Sequence, residues 1–297
     1  MTATETHRIA AIGMFDGVHA GHRSLLGYLR REGALRHLKA AVVTFNNHPA
    51  ELVAADRAPR LLMTPRDKIG ALRAEGVEDI ILLHFDEALR RLSAREFMTM
   101  LHASYGVDCL VVGYDHRFGR DRLDGFDDYV AIGREIGLEV ICAREESGFS
   151  STAVRDSLLR GHVEAATALL GRPYYIDGTV VAGKRLGRTI GFPTANLAPL
   201  SDRILIPARG VYVADVSIDG APALRRAMLN IGHRPTVDGP DAPDTIEVHV
   251  IDYEGDLYGH LMRVHFLHRL RSERAFDSLE SLRKQLCADR DAASAWI

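Results

Sequence analysis

The sequence predicts a chain of two domains, an α/β domain followed by an antiparallel β domain. Three observations carry this reading. A length of 297 residues is long for one core and comfortable for two. Through about residue 170, short apolar runs alternate with amphipathic helical patterns, as in parallel βαβ units. After GRPYY (171–175) the pattern changes to short strands at regular spacing, with Gly, Pro and Asp between them, the signature of a barrel or sandwich. The boundary falls near Gly171, giving domains of 1–171 and 172–297.

Each element follows from local chemistry. RIAAIGM (8–14) reads as a strand, HRSLLGYLRREGALR (22–36) as a helix and AAVVTF (40–45) as a strand. PRDKIGALRAEG (65–76) is a helix with Thr64 as N-cap and Pro65 at its first position. DIILLHF (79–85) is a strand, and Ser93 with Glu96 forms a capping box for the helix SAREFMTMLHASYG. CLVVG (109–113), FDDYVAIGREIG (126–137) and LEVICA (138–143) continue as strand, helix and strand, and two helices follow at 151–160 and 162–170. The strands are near-continuous apolar runs, which a sheet covered on both faces requires. In the second half TVVAG, GVYVADVSI, RRAMLNIG, TIEVHVID and LMRVHFLHRL read as strands. A last helix spans 277–294, capped by Asp277 and Glu280, with Phe276, Leu279, Leu282 and Leu286 on one face.

Composition narrows the function. There are 37 basic and 40 acidic residues, a formal net charge of −3, so no electrostatic footprint for nucleic acid or an anionic membrane exists. No run approaches the roughly 18 apolar residues of a membrane helix, and no secretory signal is read at the N-terminus. Cys109, Cys142 and Cys287 form no CxxC pair, and Cys109 and Cys142 lie in apolar runs, which predicts buried reduced thiols and a cytoplasmic location.

GMFDGVHAGH (13–22) sits where the first strand ends and a helix begins. In open α/β sheets ligands bind at that carboxyl edge. A helix start offers free N–H groups and a positive dipole end, glycines permit close backbone approach, and His19 and His22, three apart, point to one side. The spacing alone leaves an anion site and a plain tight turn both open; a metal site lacks a third ligand nearby. VVGYDHRFGR (111–120) repeats the logic, with Asp115, Arg117 and Arg120 in a loop after a strand. His48 follows the second strand, and SSTAVR (150–155) puts Ser151 and Thr152 at a helix start with Arg155 one turn on, a pattern also satisfied by simple N-capping. In GKRLGRTIGFPTAN, Thr194 and Asn196 are two apart and face one way in extended backbone, as hard oxygen donors that suit Mg²⁺. Glu247 shares the polar face of TIEVHVID with Thr245 and His249, which pattern alone assigns to solvent.

Together these strings resemble the bifunctional riboflavin kinase/FAD synthetase family. GMFDGVHAGH resembles its GxFDGVHxGH, and TFNNHP, LSAREFM, VVGYDHRFGR and SSTAVR match its order in the first half. The region 171–197, NIGHRPTV, IEVHVIDYEGDLYG and FDSLESL resemble its kinase half. The resemblance implies a Rossmann-like nucleotidylyltransferase domain and a β-barrel riboflavin kinase domain with a terminal helix. It implies that riboflavin is phosphorylated to FMN with ATP and Mg²⁺ and that FMN is then adenylylated to FAD with ATP, releasing pyrophosphate. By resemblance His19 and His22 stabilise charge at the α-phosphate and Glu247 is the general base of the kinase step. The resemblance further implies that Gly13, Phe15, Asp16, Gly17, Asp115, Arg117, Ser151, Thr152, Arg155, Gly187, Gly191, Pro193, Thr194 and Asn196 bind nucleotide or flavin and that Thr194 and Asn196 hold the metal. Arg234 and Arg271 are further candidates for phosphate or flavin contact. Met14 stands where the family commonly has Asn, and Asn46-Asn47 replace its acidic-Pro pair. Other readings are a single-activity FAD synthetase with a non-catalytic barrel, a flavin-binding regulator without turnover, and a nucleic-acid module, the last disfavoured by charge balance.

Overall fold

The computed structural model describes residues 6–113, 117–143, 148–182, 187, 190–232 and 244–296. Asp115 and Arg234 lie outside them. The described residues form two compact units, Met1–Ser150 and Ser151–Ile297.

The first unit is a five-stranded parallel sheet in the order β3-β2-β1-β4-β5. The strands are β1 (Arg8–Ile12), β2 (Lys39–Phe45), β3 (Asp79–Leu83), β4 (Val107–Gly113) and β5 (Glu139–Ala143). Alternate residues of β1 serve opposite cores. Ile9 and Ala11 pack with Leu26 and Leu29 of α1 (Ala20–Arg36) and Leu72 of α3 (Pro65–Ala74). Ala10 and Ile12 pack with Phe97 and Leu101 of α5 (Ala94–Tyr105) and Tyr129 of α6 (Phe126–Ile136). Both faces are covered, which is why the strands carry apolar residues without alternation. Each fully buried Leu of these layers contributes about 1.5–3 kcal/mol. Chain order reverses between β1 and β4, so the topological switch point lies at their carboxyl ends.

Short helices α2 (Pro49–Val53) and α4 (Glu87–Arg90) sit in connections. Thr64 caps α3 with Pro65 in the first turn, and Ser93 with Glu96 forms the expected capping box of α5. The first strand ends at Ile12 rather than residue 14, and α1 begins at Ala20 rather than 22, because His19 itself is the N-cap. Cys109 is fully buried, but Cys142 is only half-buried, since β5 is an edge strand.

The second unit opens with α7 (Ser151–Leu159) and α8 (Val163–Leu170), which pack on each other and, through α8, on the barrel. Six antiparallel strands then close into a barrel, β10-β7-β6-β11-β8-β9, deciding between barrel and sandwich. They are β6 (Tyr174–Val181), β7 (Ala195–Pro199), β8 (Gly210–Ile218), β9 (Arg225–Gly232), β10 (Thr245–Val250) and β11 (Leu261–Arg271). Closure leaves no free sheet edge.

Helix α9 (Leu279–Ala295) lies against β8 and β9. Its N-cap is Ser278, whose hydroxyl accepts from the Ser281 amide, not the expected Asp277–Glu280 pair, which falls one residue out of phase with the first turn. Two devices fasten α9. Arg271 and the buried Asp289 form a two-pronged ion pair at 2.7–3.1 Å, and Arg226 donates to the carbonyls of Ala293 and Trp296 at 3.0 and 2.7 Å.

Candidate functional site

The loop from β1 to α1 is conformationally costly. Phe15, Gly17 and Val18 all take positive φ, at 50°, 87° and 42°. For Phe and the β-branched Val this costs on the order of 1–3 kcal/mol each. Tethers hold it. The buried Asp16 carboxylate accepts the Leu62 amide at 3.0 and 3.1 Å, and a charge-assisted bond of this kind contributes about 1.5–3 kcal/mol. The Met14 carbonyl accepts from the Thr44 hydroxyl at 3.2 Å and the Lys68 ammonium at 3.1 Å. The same ammonium reaches the Phe45 carbonyl at the end of β2, at 2.6 Å.

This loop delivers the two histidines. The Nδ1 of His19 accepts from the His22 amide at 3.4 Å, and the imidazoles stack with centroids 3.7 Å apart. The ring of Phe15 lies 5.0 Å from that of His22. A Cβ on Gly21 would come within 3.2–3.3 Å of Phe149 and the His19 ring, so glycine there lets the imidazole lie close to the backbone. Burial drives the pKa of His22 well below its ordinary value, and the positive charges of His19, Lys68 and Arg23 add to the effect. His22 is therefore a neutral imidazole near pH 7. Its Nδ1 is buried with no hydrogen-bond partner among the described residues, an open valence at a helix N-terminus where anions are favoured.

The remaining candidates of this unit divide by role. Gly13, Phe15, Asp16 and Gly17 lie in the same loop, with the Phe15 and Asp16 side chains buried inside it. His48 caps α2 through Nδ1, accepting from the Ala50 amide at 3.1 Å. Arg117 donates to the Asp124 carbonyl at 3.1 Å within its own loop. The Asn47 amide exchanges two hydrogen bonds with the Phe85 backbone, at 2.8 and 2.9 Å, a brace between the ends of β2 and β3. The Met14 side chain packs at the edge of the α5–α6 core. Ser151, Thr152 and Arg155 are on the first turns of α7, which groups with the second unit.

In the barrel, register does the assembling. Glu247 of β10 stands opposite Asn196 of β7 on one side and Asn230 of β9 on the other. Ala195 and Leu197 are buried while Thr194 and Asn196 are partly exposed, the period-two alternation expected of one shared polar face. The His249 ring bonds the Pro193 carbonyl at 2.8 Å and fixes the PTAN segment to β10. Gly187 folds back so closely that a Cβ would sit 2.1 Å from the Phe192 carbonyl, so no other residue fits; Gly191 takes a φ of 85°.

Two cavities flank β10. One, of about 400 Å³, runs between the barrel wall and α9 and is lined by Glu247, Asn230, Met228, Phe276, Leu282 and Thr194 among others. The other, of about 280 Å³, is lined by Val248, Tyr253, Glu254, Asp256 and Tyr258 with Pro193 and, again, Thr194. Thr194 thus stands where both meet. The donors suit Mg²⁺ arriving with a nucleotide: a hydroxyl and an amide oxygen on one face, and among the described residues no cluster of three or more His, Cys, Asp or Glu that could hold a metal alone. Arg271 also lines the larger cavity while paired with Asp289.

Sequence reasoning passed over Lys68 and the Arg271–Asp289 pair. The sign of Lys68 was present: it shares the buried face of α3 with Leu72, four residues on, where a solvated lysine does not belong.

Comparison with known proteins agrees with both halves. A family model described as FAD synthetase matches residues 1–154, and one described as riboflavin kinase matches 170–297. A bifunctional riboflavin kinase/FMN adenylyltransferase of Escherichia coli K12 is 41% identical, covering 95% of this chain and 90% of its own. Those of Pseudomonas fluorescens and Bacillus subtilis are 40% and 33% identical, covering 97% and 96% of this chain and 92% and 91% of their own. This chain belongs to the bifunctional riboflavin kinase/FMN adenylyltransferase family. A crystal structure from Streptococcus pneumoniae, described as a macrolide-efflux protein, superposes with a TM-score of 0.87 at 34% identity, over 99% of this chain and 96% of its own. The description as an efflux protein is not shared by the family models or the curated relatives. No described helix is long and apolar enough to cross a membrane.

Proposed function

We propose that the barrel transfers the γ-phosphoryl group of ATP to riboflavin, giving FMN and ADP, and that the α/β unit then adenylylates FMN, giving FAD and pyrophosphate. The observation that carries the kinase assignment is the position of Thr194 on the shared border of two cavities, with Glu247 lining one of them. The larger, apolar cavity with its Phe276 ring takes the flavin, and the smaller one, with Tyr253 and Tyr258, takes the nucleotide. Glu247 accepts the proton of the ribityl hydroxyl as its oxygen attacks the γ-phosphorus and ADP leaves. Thr194 and Asn196 would hold Mg²⁺, which when bound would neutralise charge on the phosphates, and Gly187, Gly191 and Pro193 shape the loop around them.

In the α/β unit a phosphate oxygen of FMN attacks the α-phosphorus of ATP and pyrophosphate departs. His19 and the neutral His22 orient and donate to phosphate oxygens at the helix start, positioning and stabilising without a covalent step. Asp115, Arg117, Ser151, Thr152 and Arg155 are proposed nucleotide contacts, and the chain is proposed to act in the cytoplasm on small molecules alone.

The test is direct. Protein incubated with riboflavin, ATP and Mg²⁺ should yield both FMN and FAD on chromatography. His19→Ala with His22→Ala should leave FMN formation and abolish FAD formation. Loss of the kinase step alone in that variant would overturn the assignment of the two halves.

A further inference from the structure

We infer that Lys68 is a positioning residue of the adenylylation site: its buried ammonium ties the end of β2 to the strained loop that carries His19 and His22. The inference rests on the reading of that loop as the adenylylation site.

The geometry is specific. Lys68 is 5% exposed and lies on α3, outside every motif assigned a role above. Its Nζ bonds two carbonyls, Met14 of the β1–α1 loop at 3.1 Å and Phe45 at the end of β2 at 2.6 Å. Both mark the carboxyl edge of the sheet, where α/β proteins bind their ligands. The residues immediately after Met14 are those in left-handed conformations, which persist only where surroundings over-determine them. An apolar side chain of similar length would take this donor from the Phe45 carbonyl, leave the Met14 carbonyl only the Thr44 hydroxyl, and cut the link between the loop and β2 through α3. Lys68 also bears on the histidine charge, because its positive field disfavours a proton on His22.

The tie is titratable. Desolvation lowers the Lys68 pKa to about 8, while Asp16 of the adjacent loop pulls it back up. Asp16 and His22 are the charged or titratable groups of neighbouring elements that act on it among the described residues; the Met14 and Phe45 contacts are neutral carbonyls. Above about pH 8 the ammonium loses its charge and the tie weakens.

Because one chain performs both reactions, the kinase step is the internal control. FAD formation from supplied FMN and FMN formation from riboflavin are measured from pH 6 to 10 on the full chain, for wild type, Lys68→Met and His19→Ala, with thermal melting followed by circular dichroism. In wild type, FAD formation should fall above about pH 8 with no matching fall in FMN formation. In Lys68→Met, FAD formation at pH 7 should drop roughly 100-fold, the scale of an ångström-level misplacement, with the alkaline fall abolished and FMN formation within about twofold. Folded Lys68→Met that makes FAD at near wild-type rate, or keeps the same alkaline fall, overturns the inference. If the first unit of that variant does not melt cooperatively, the wild-type profile decides: a flat profile through pH 8–9 overturns it. Intact FAD formation in His19→Ala would instead overturn the site reading, and this inference with it.

Discussion

The two candidate sites are built by opposite means. In the α/β unit the key side chains come from one contiguous stretch, 13–22, bent into left-handed conformations and held down by Thr44, Lys68 and the Leu62 amide. In the barrel they come from strands distant in sequence, and Glu247 meets Asn196 because β10 pairs with β7 in one register. A loop site stores strain and depends on tethers; a strand site stores none and depends on the ladder. Loop sites should therefore fail through loss of a tether, and strand sites through loss of the reacting group or of the wall beside it.

The largest effect that separates the halves should come from Glu247→Gln. Removing the proposed proton acceptor should lower FMN formation by about 10²–10⁴-fold, while FAD made from supplied FMN stays within about twofold, read by product chromatography. Equal loss of both activities would break the comparison.

Next comes the wall. Asp289→Ala strips the buried partner from Arg271, and breaking a buried pair costs about 3–5 kcal/mol. The barrel's melting transition should fall and the KM for riboflavin rise, since α9 closes the larger cavity. Adenylylation of supplied FMN should hold its KM.

A smaller effect sharpens the loop side. The folded-state pKa of His22 is depressed by burial and by the charges of His19, Lys68 and Arg23. The unfolded chain takes up the proton first as pH falls, so the stability tied to neutral His22 is complete above about pH 6.5 and drains away below it. Denaturant melts of the first unit should weaken as pH falls below about 6.5, and His22→Gln should flatten that slope.

The sequence made some of this legible and hid the rest. Contiguity made GMFDGVHAGH readable, because strand end, glycines, histidines and helix start sit in one string. The two layers of the α/β core were equally visible, through unbroken apolar strands. Glu247 was not separable from a solvated strand face by pattern, since period-two alternation reports only which side a residue is on; register gives the neighbour, and register spans some fifty residues of chain. The cap of α9 lies one residue beyond the position the sequence suggests, because Asp277 and Ser278 both cap well and only the helix phase chooses. Lys68 was hidden by its type: lysine reads as surface unless its partners are known, and both partners are backbone carbonyls of other segments.

The smallest expected effect is chemical. Cys109 is fully buried in β4 and its thiol is pushed up to about 12 by desolvation, with the Glu139 charge adding to it. In native protein, aromatic disulfide reagents at pH 8 should label Cys142 or Cys287 and leave Cys109 untouched until the first unit unfolds.

The placement of α9 has a consequence for biosynthesis of the chain. The parallel sheet has all five strands once Ala143 has left the ribosome, so the adenylylation half has its sheet while the rest is still being translated. The larger cavity lacks one wall until Leu279–Ala295 emerges and Arg226 can grip its last turn. The half proposed to act second on the flavin thus has its sheet first, and a chain cut short before α9 should consume FMN but not make it.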